Sequence, residues 1–111
     1  MRPPRRPDGK AKDTSMIMAL VQFPLTHPVS LEEATEMFEG SAPKYKDLPG
    51  LKRKHYLRSE DGKTVGGAYF WESRAAAEAV YNDNWKAFVT DKYGAPPVIV
   101  FFDNPVTVDN S

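Results

Sequence analysis

Two segments of this sequence carry apolar side chains at both odd and even positions. They are MIMALVQF, residues 16–23, and PPVIVFFD, residues 96–103. Successive residues of a β-strand point to opposite faces, so each segment would present apolar groups on both sides of a sheet. A sheet with one face in water would instead alternate apolar and polar residues. This chain must therefore cover both faces of its sheet, and 111 residues leave little material for doing so.

One helix is predicted between the first strand and the next. Ser30 followed by Glu33 forms the pattern of a capping box, in which each side chain bonds the backbone of the other. Pro43 is expected to kink or restart this helix, because proline lacks the backbone N–H. Leu48-Pro49-Gly50 is expected to end it.

A hairpin follows the helix. Asp61-Gly62 is expected to be its two-residue turn, between strands 51–59 and 64–72. The register that follows places Arg58 opposite Val65, Tyr56 opposite Gly67, His55 opposite Ala68 and Lys54 opposite Tyr69.

A second helix is predicted to begin at Ser73, to be interrupted at 82–84 and to end at Gly94. The order strand, helix, strand, strand, helix, strand predicts an α+β, ferredoxin-like βαββαβ fold. Right-handed crossovers place the helices on one face of a four-stranded antiparallel sheet. The best cover for the other apolar face is a second copy of the sheet, which predicts a homodimer built as a dimeric α/β barrel.

The predicted organisation is a disordered, basic, proline-rich tail at 1–14, a domain at 15–105 and a C-terminal tail at 106–111. The formal net charge is zero, so the charge of the chain does not indicate binding to nucleic acid. No apolar run is long enough to span a membrane. Cysteine is absent, which excludes disulfides and thiolate chemistry and suits a cytoplasmic protein.

The segment from Pro49 to Gly94 resembles the mono-oxygenase group of YdhR type, in the dimeric α/β-barrel superfamily. The resemblance rests on Pro49-Gly50, on Gly66-Gly67-x-Tyr69-x-Trp71 and on the segment around Trp85. It implies a ferredoxin-like dimer that oxygenates a small aromatic, quinol or polyketide-like compound with dioxygen and without a cofactor. The haem-degrading branch uses a histidine of the second helix, and this chain has none between Ser73 and Gly94.

Such chemistry needs a base, a dry aromatic pocket and hydrogen-bond donors for an anion. In the predicted register Lys54, Tyr56, Tyr69 and Trp71 share one face of the sheet. Tyr69 and Tyr56 are expected to donate hydrogen bonds to a substrate, Trp71 to stack on its ring, and Lys54 or Arg58 to stabilise a developing anion. The alternative is that these aromatic residues simply fill the dimer core.

His55 is the candidate base on the second strand, because its unperturbed pKa lies near 7. It shares the face of Ala68 and Phe70, which the resemblance implies pack under the helices, so a partly buried structural histidine is the alternative. Gln22 is predicted either to orient substrate or to bridge strands. Trp85 is predicted either to cover the pocket or to anchor the core.

Two other functions remain open at this point. One is a small-molecule-binding dimer without catalysis. The other is an isomerase or dehydratase on the same fold. Oxygen uptake with quinols or phenols separates the mono-oxygenase from both.

Overall fold

The computed structural model describes residues 16–110. It contains one antiparallel sheet and three helices. The strands are β1 Met16–Pro24, β2 Leu51–Arg58, β3 Thr64–Trp71 and β4 Val98–Asn104. The helices are α1 Leu31–Tyr45, α2 Arg74–Val80 and α3 Asp83–Tyr93. The strand order β2-β3-β1-β4 is that of a ferredoxin-like fold, as the element order predicted.

The helices begin where their capping residues predict. The Glu33 backbone N–H donates to Ser30 Oγ at 3.0 Å, and the Ser30 N–H donates to Glu33 Oε1 at 2.8 Å. Ser73 caps α2 through the Ala76 N–H. The interruption predicted near residue 82 is a new start, because Asn82 caps α3.

The prediction that the helix restarts at Pro43 is wrong. The helix runs through Pro43 and ends at Tyr45. Pro43 lies in the last turn and is exposed to solvent, where the Glu39 carbonyl that loses its donor can bond water instead. Ser41 and Tyr45 therefore continue the helical face that begins at Ala34.

The hairpin has the predicted register and a different turn. Lys54 pairs with Tyr69, and Tyr56 with Gly67. The Gly62 N–H donates to the Ser59 carbonyl at 2.9 Å, and Gly62 has a φ of 75° while Asp61 does not have a positive φ. The loop is longer than two residues but remains centred on the same point, so the pairing is unchanged.

One face of the sheet, here called the inner face, packs against the helices. Its buried side chains come from alternate positions of the two central strands: Ala19, Val21, Phe23, Val65, Tyr69 and Trp71. Together with Ala77, Tyr81 and Val89 of the helical layer they form the core.

The opposite, outer face carries no helix. The prediction that Ala68 and Phe70 pack under the helices is wrong. Their neighbours Tyr69 and Trp71 are the buried pair, and the strand alternates, so Ala68 and Phe70 point outward. Large apolar side chains are exposed on this face at four positions: Leu57, Val98, Val100 and Phe102.

The predicted tail at 1–14 lies outside the described residues, and residues 105–110 have no regular secondary structure. No helix within residues 16–110 is both long enough and apolar enough to cross a membrane.

Candidate functional site

A small cavity lies between the inner face of the sheet and helices α1 and α3. Strands β2 and β3 form its floor and the two helices form its walls. Its lining residues are Phe23, Ser41, Lys44, Tyr45, Lys54, Tyr56, Gly66, Tyr69, Trp85, Phe88, Val89, Lys92 and Tyr93. Most of these are aromatic or basic.

Gly67 makes room for the side chains on the cavity floor. A Cβ atom there would lie 3.1 Å from Tyr69 Cε1 and 3.2 Å from Lys54 Cε, closer than most Cβ contacts in proteins. With hydrogen in that place, the Lys54 stem and the Tyr69 ring lie across the strand. This explains why glycine occupies this position of β3.

The Lys54 ammonium group lies inside a cage of tyrosine rings. Its Nζ atom is 3.4 Å from the ring centroid of Tyr45, 3.9 Å from that of Tyr56 and 4.5 Å from that of Tyr69. The three rings come from α1, β2 and β3. The cage therefore exists only when the helix docks on the sheet.

Two effects act in opposite directions on the charge of Lys54. Burial, and secondly the positive charge of Lys92, lower the pKa of Lys54 from 10.5 to about 7. The ring faces favour the cation, by about 0.5–2 kcal/mol for each well-placed ring. At a pKa of about 7, a considerable fraction of the amine is neutral at physiological pH.

Three of the tyrosines that line the cavity stay protonated. Burial raises the pKa of Tyr69, with further contributions from Tyr45 and Tyr81, and raises that of Tyr93 to about 12. Burial also raises the pKa of Tyr56. At neutral pH these groups are phenols that can donate hydrogen bonds.

Two hydrogen bonds hold the cavity wall. Tyr56 Oη and Ser41 Oγ are 2.7 Å apart, which ties β2 to α1. Trp85 Nε1 donates to Tyr45 Oη at 3.0 Å, which ties α3 to α1. Both wall helices are thereby fixed relative to the floor.

The free volume of this cavity is about 20 Å³, enough for roughly one water molecule. Pockets that take drug-sized ligands measure roughly 300–1,000 Å³. A shallower groove of about 340 Å³ shares Lys44, Tyr45, Trp85 and Phe88 with the cavity, and so adjoins it. A second groove of about 300 Å³ shares Tyr45, Lys54 and Tyr56 with the cavity. A ligand larger than water must displace side chains that line the cavity.

The structure brings four of the predicted site residues together. Lys54, Tyr56 and Tyr69 form the floor, and Trp85 lies on the wall. Trp85 thus both lines the cavity and anchors α1 to α3.

Two predicted site residues lie on the inner face but outside the cavity. Trp71 has no exposed surface and donates from Nε1 to Tyr81 Oη at 3.2 Å, so it belongs to the core. Arg58 donates from Nε to the Val29 carbonyl at 2.8 Å and holds the loop before α1. Both side chains already have structural partners.

The remaining two lie on the other side of the sheet. His55 is exposed on the outer face, with its ring centroid 6.0 Å from that of Phe70. Gln22 is half-buried and pairs with Gly66 and Val98, again pointing outward. Neither side chain reaches the cavity in this chain.

Sequence reasoning missed several lining residues, chiefly Ser41, Tyr45 and Lys92. Ser41 and Tyr45 continue the spacing of Ala34 and Phe38 along one helical face. This spacing is the signal that could have found them. Lys92 gave no signal, because a lysine in the last turn of a helix is typical of a solvated helix end.

No group of three or more histidine, aspartate and glutamate residues within 16–110 converges as a metal site would require.

The fold is shared with several solved structures. A monooxygenase from the ActVA-Orf6 gene of Streptomyces coelicolor, in complex with nanaomycin D, is 24% identical. The match has a TM-score of 0.66 and covers 88% of this chain and 95% of that one. SnoaB, a cofactor-independent oxygenase from Streptomyces nogalater, is 16% identical with a TM-score of 0.61, over 85% of this chain and 97% of that one.

A protein from Caulobacter crescentus, assigned to the antibiotic biosynthesis monooxygenases, is 22% identical with a TM-score of 0.59. The match covers 86% of this chain and 94% of that one. These likenesses show that the chain has the fold of the antibiotic biosynthesis monooxygenases, while the YdhR type stays a prediction. No protein-family model matches the chain. No curated protein matches it by sequence.

Proposed function

We propose that this protein is a cofactor-independent mono-oxygenase that acts on a small phenolic or quinol-like aromatic compound. The observation that carries the proposal is the position of Lys54, whose amine lies among three tyrosine rings with a pKa of about 7. A general base works best when its pKa is close to the working pH. The fold is shared with the ActVA-Orf6 monooxygenase and with SnoaB, a cofactor-independent oxygenase, which supports an oxygenation reaction.

The proposed reaction begins with proton transfer to Lys54 Nζ. The amine takes the proton of the substrate's phenol, and the phenolate then supplies electrons to dioxygen. A bond forms between dioxygen and the ring carbon para to the phenol oxygen. Loss of this carbon's hydrogen and cleavage of the O–O bond release water and leave a second carbonyl. The phenol and dioxygen become a quinone and water, so electrons balance without another reductant.

The tyrosines have a separate role in this scheme. Tyr69 is a neutral phenol and can donate a hydrogen bond to a developing phenolate. Tyr56 is also neutral, but Ser41 donates its hydrogen to the Phe38 carbonyl at 3.2 Å, so the Tyr56 hydrogen goes to Ser41 Oγ. This hydrogen bond holds the Tyr56 hydroxyl in position. Preorganised donors stabilise charge without having to reorient during the reaction.

The test is oxygen consumption by the purified protein with a panel of anthrones and 1-naphthols, whose carbon para to the enol or phenol oxygen carries hydrogen, followed with an oxygen electrode. With ¹⁸O₂, one labelled oxygen is expected in the new carbonyl of the product. Lys54→Met is expected to lower kcat/KM by about 100-fold or more, since a positioned base contributes 10²–10⁴-fold. Lys52→Met is the matched control, because Lys52 lies on the same strand but is exposed and ion-paired with Glu72.

Three outcomes contradict the proposal. Turnover without oxygen uptake indicates an isomerase or dehydratase. Tight binding of the same compounds without any turnover indicates a binding protein. Full activity in Lys54→Met, with unchanged folding, removes the lysine from the chemistry.

The active form is proposed to be a homodimer. The outer face carries four of the eight exposed large hydrophobic residues described, and they are contributed by β2 and β4: Leu57, Val98, Val100 and Phe102. Monomers rarely leave a patch above roughly 300–600 Å² open. The face is apolar and sheet-like, and a second copy offers a surface of the same shape and chemistry.

A further inference from the structure

The cavity has a one-sided charge. Three lysines line it, Lys44, Lys54 and Lys92, and no aspartate or glutamate is among the lining residues. Ordinary protein surfaces mix both signs of charge, and this chain has equal numbers of acidic and basic residues. The concentration of lysines is therefore a property of the cavity and not of the whole chain.

None of the three lysines forms an ion pair with an acidic residue in the described part of the chain. The ion pairs there join Lys52 to Glu72 and Arg74 to Glu78. The cavity lysines instead contact rings: Lys44 Nζ lies 3.9 Å from the Phe88 centroid, and Lys92 Nζ lies 5.5 Å from that of Tyr93. Their charges are left available to a ligand.

The lysines also repel one another. Burial and secondly the charge of Lys44 lower the pKa of Lys92, and Lys92 in turn contributes to the lowered pKa of Lys54. Such a cluster is unfavourable in the free protein. An anion placed among the three would relieve the repulsion, which makes the cluster complementary to negative charge.

The three lysines lie at different depths. Lys44 and Lys92 are exposed, whereas Lys54 is half-buried inside the tyrosine cage. The exposed pair comes from the two wall helices, with Lys44 near the end of α1 and Lys92 near the end of α3. The entrance is therefore cationic and the interior is aromatic.

We propose that the ligand of this cavity is an aromatic carboxylate, held by Lys44 and Lys92 at the entrance with its ring directed toward the tyrosine cage. The proposal rests on the proposed function for the reaction itself and names its substrate class. Lys44 and Lys92 are thus residues of specificity, while Lys54 acts on the ring. Binding of the carboxylate adds a negative charge near Lys54 and raises the pKa of its amine.

The first experiment compares two probes of the same shape, 2-naphthoate and its uncharged methyl ester. Binding is followed by calorimetry, and neither probe carries a phenol that the proposed reaction could oxidise. The wild-type protein is expected to bind the carboxylate about 10-fold or more tightly than the ester. Raising the salt from 0.05 M to 0.5 M is expected to reduce this preference, because salt screens exposed charges.

The variants Lys44→Gln and Lys92→Gln are each expected to weaken naphthoate binding by about 3- to 10-fold and to leave the ester within about twofold. Lys86→Gln is the matched control, since Lys86 is an exposed lysine of α3 that does not line the cavity. It is expected to leave both affinities within about twofold.

A second readout is independent of affinity. The Lys54 amine, followed by NMR of its side-chain resonances, is expected to titrate at a higher pH when naphthoate is bound. The ester is expected to produce no such rise, which separates a charge effect from simple occupancy.

Equal affinity for the acid and the ester overturns the proposal, as does an equal loss in Lys86→Gln, which would indicate general surface attraction. Failure of the mono-oxygenase proposal gives a different result from failure of the aromatic-carboxylate proposal. If naphthoate binds through Lys44 and Lys92 but no phenolic carboxylate is ever oxygenated, the mono-oxygenase proposal falls and this one stands. If neutral phenols are oxygenated as fast as their carboxylates, the aromatic-carboxylate proposal falls.

Discussion

At the scale of the residue, Lys54 is the proposed base of the cavity. An ordinary exposed lysine is cationic at pH 7 and is no base. Here burial and a neighbouring cation lower the pKa of Lys54 to about 7. The three ring faces act in the opposite direction, because they stabilise the protonated amine. The same side chain lines the cavity, so the proposed base is placed to contact a bound substrate.

The pH dependence of catalysis follows from this pKa. The neutral amine is the proposed base, so kcat/KM is expected to fall about tenfold for each pH unit below about 7 and to level off above it. Initial rates of oxygen uptake at low substrate concentration, between pH 5 and 9, measure this profile. A profile that is flat through pH 7 would contradict the assignment of Lys54.

Lys54 should also destabilise the fold. Its pKa is lowered on folding, so at pH values below about 7 both states are protonated and the folded state carries the full cost of a buried cation. Lys54→Met is therefore expected to raise the free energy of unfolding by ~1–3 kcal/mol at pH 6.

The sign of this effect gives its test. Between pH 7 and 10.5 the unfolded chain holds the proton more than the folded one does, so the wild type gains stability as the pH rises. The advantage of Lys54→Met in urea unfolding is expected to shrink over this range. An advantage that is constant with pH would point to packing and not to charge.

At the scale of the element, strand β3 accommodates the site through two adjacent glycines with different roles. A Cβ atom at Gly66 would overlap the Val21 carbonyl of the neighbouring strand, so this position allows close approach of backbones. A Cβ atom at Gly67 would press on Lys54 and Tyr69. Both glycines are therefore required by contacts with neighbouring strands, and not by the conformation of β3 itself.

The substitution Gly67→Ala is expected to destabilise the protein by ~1–3 kcal/mol, because the new methyl group overpacks the cavity floor. It should also shift the Lys54 resonance, since the lysine stem lies 3.2 Å from the new atom. Chemical unfolding and side-chain NMR measure the two effects.

Gly40→Ala is the matched control. Gly40 lies within α1 and has no atom within 4 Å of a Cβ placed there. Alanine there should stabilise the protein by ~0.5–1 kcal/mol, through helix propensity. Opposite signs at the two glycines are expected, and a loss at both would refute the account of Gly67.

At the scale of the whole molecule, the two faces of the sheet have separate tasks. The inner face carries the core and the cavity, and the outer face carries exposed apolar side chains. Because the strands alternate, a substitution on one face need not disturb the other. The proposed dimer contact and the proposed chemistry can therefore be tested apart.

Phe102→Glu is expected to convert the dimer to monomers at micromolar concentration, because a charge would be buried in the contact. Sedimentation velocity measures the change. Leu31→Glu is the control, since Leu31 is an exposed residue of α1 away from the sheet, 66% accessible. A wild-type protein that sediments as a monomer would refute the dimer.

Much of the fold could be read from local signals. The capping residues Ser30 and Ser73 begin helices, and Asp61-Gly62 marks the centre of the hairpin. These patterns depend only on residues a few positions apart, so they can be recognised without knowledge of the tertiary structure. The prediction from Pro43 also used only local sequence. Proline costs little in the last turn of a helix, and docking of α1 outweighs that cost.

The register of β2 on β3 also followed from the sequence, and with it the meeting of Lys54, Tyr56 and Tyr69 on one face. Which face the helices cover did not follow, because both faces of the sheet are apolar in sequence. That choice was made by packing, and it placed His55 on the outer face. It also brought Tyr45 and Lys92 from two helices onto a lysine whose amine would otherwise be an ordinary surface cation. Alternation along a strand is a local property, whereas burial of a charge depends on which elements finally close over it.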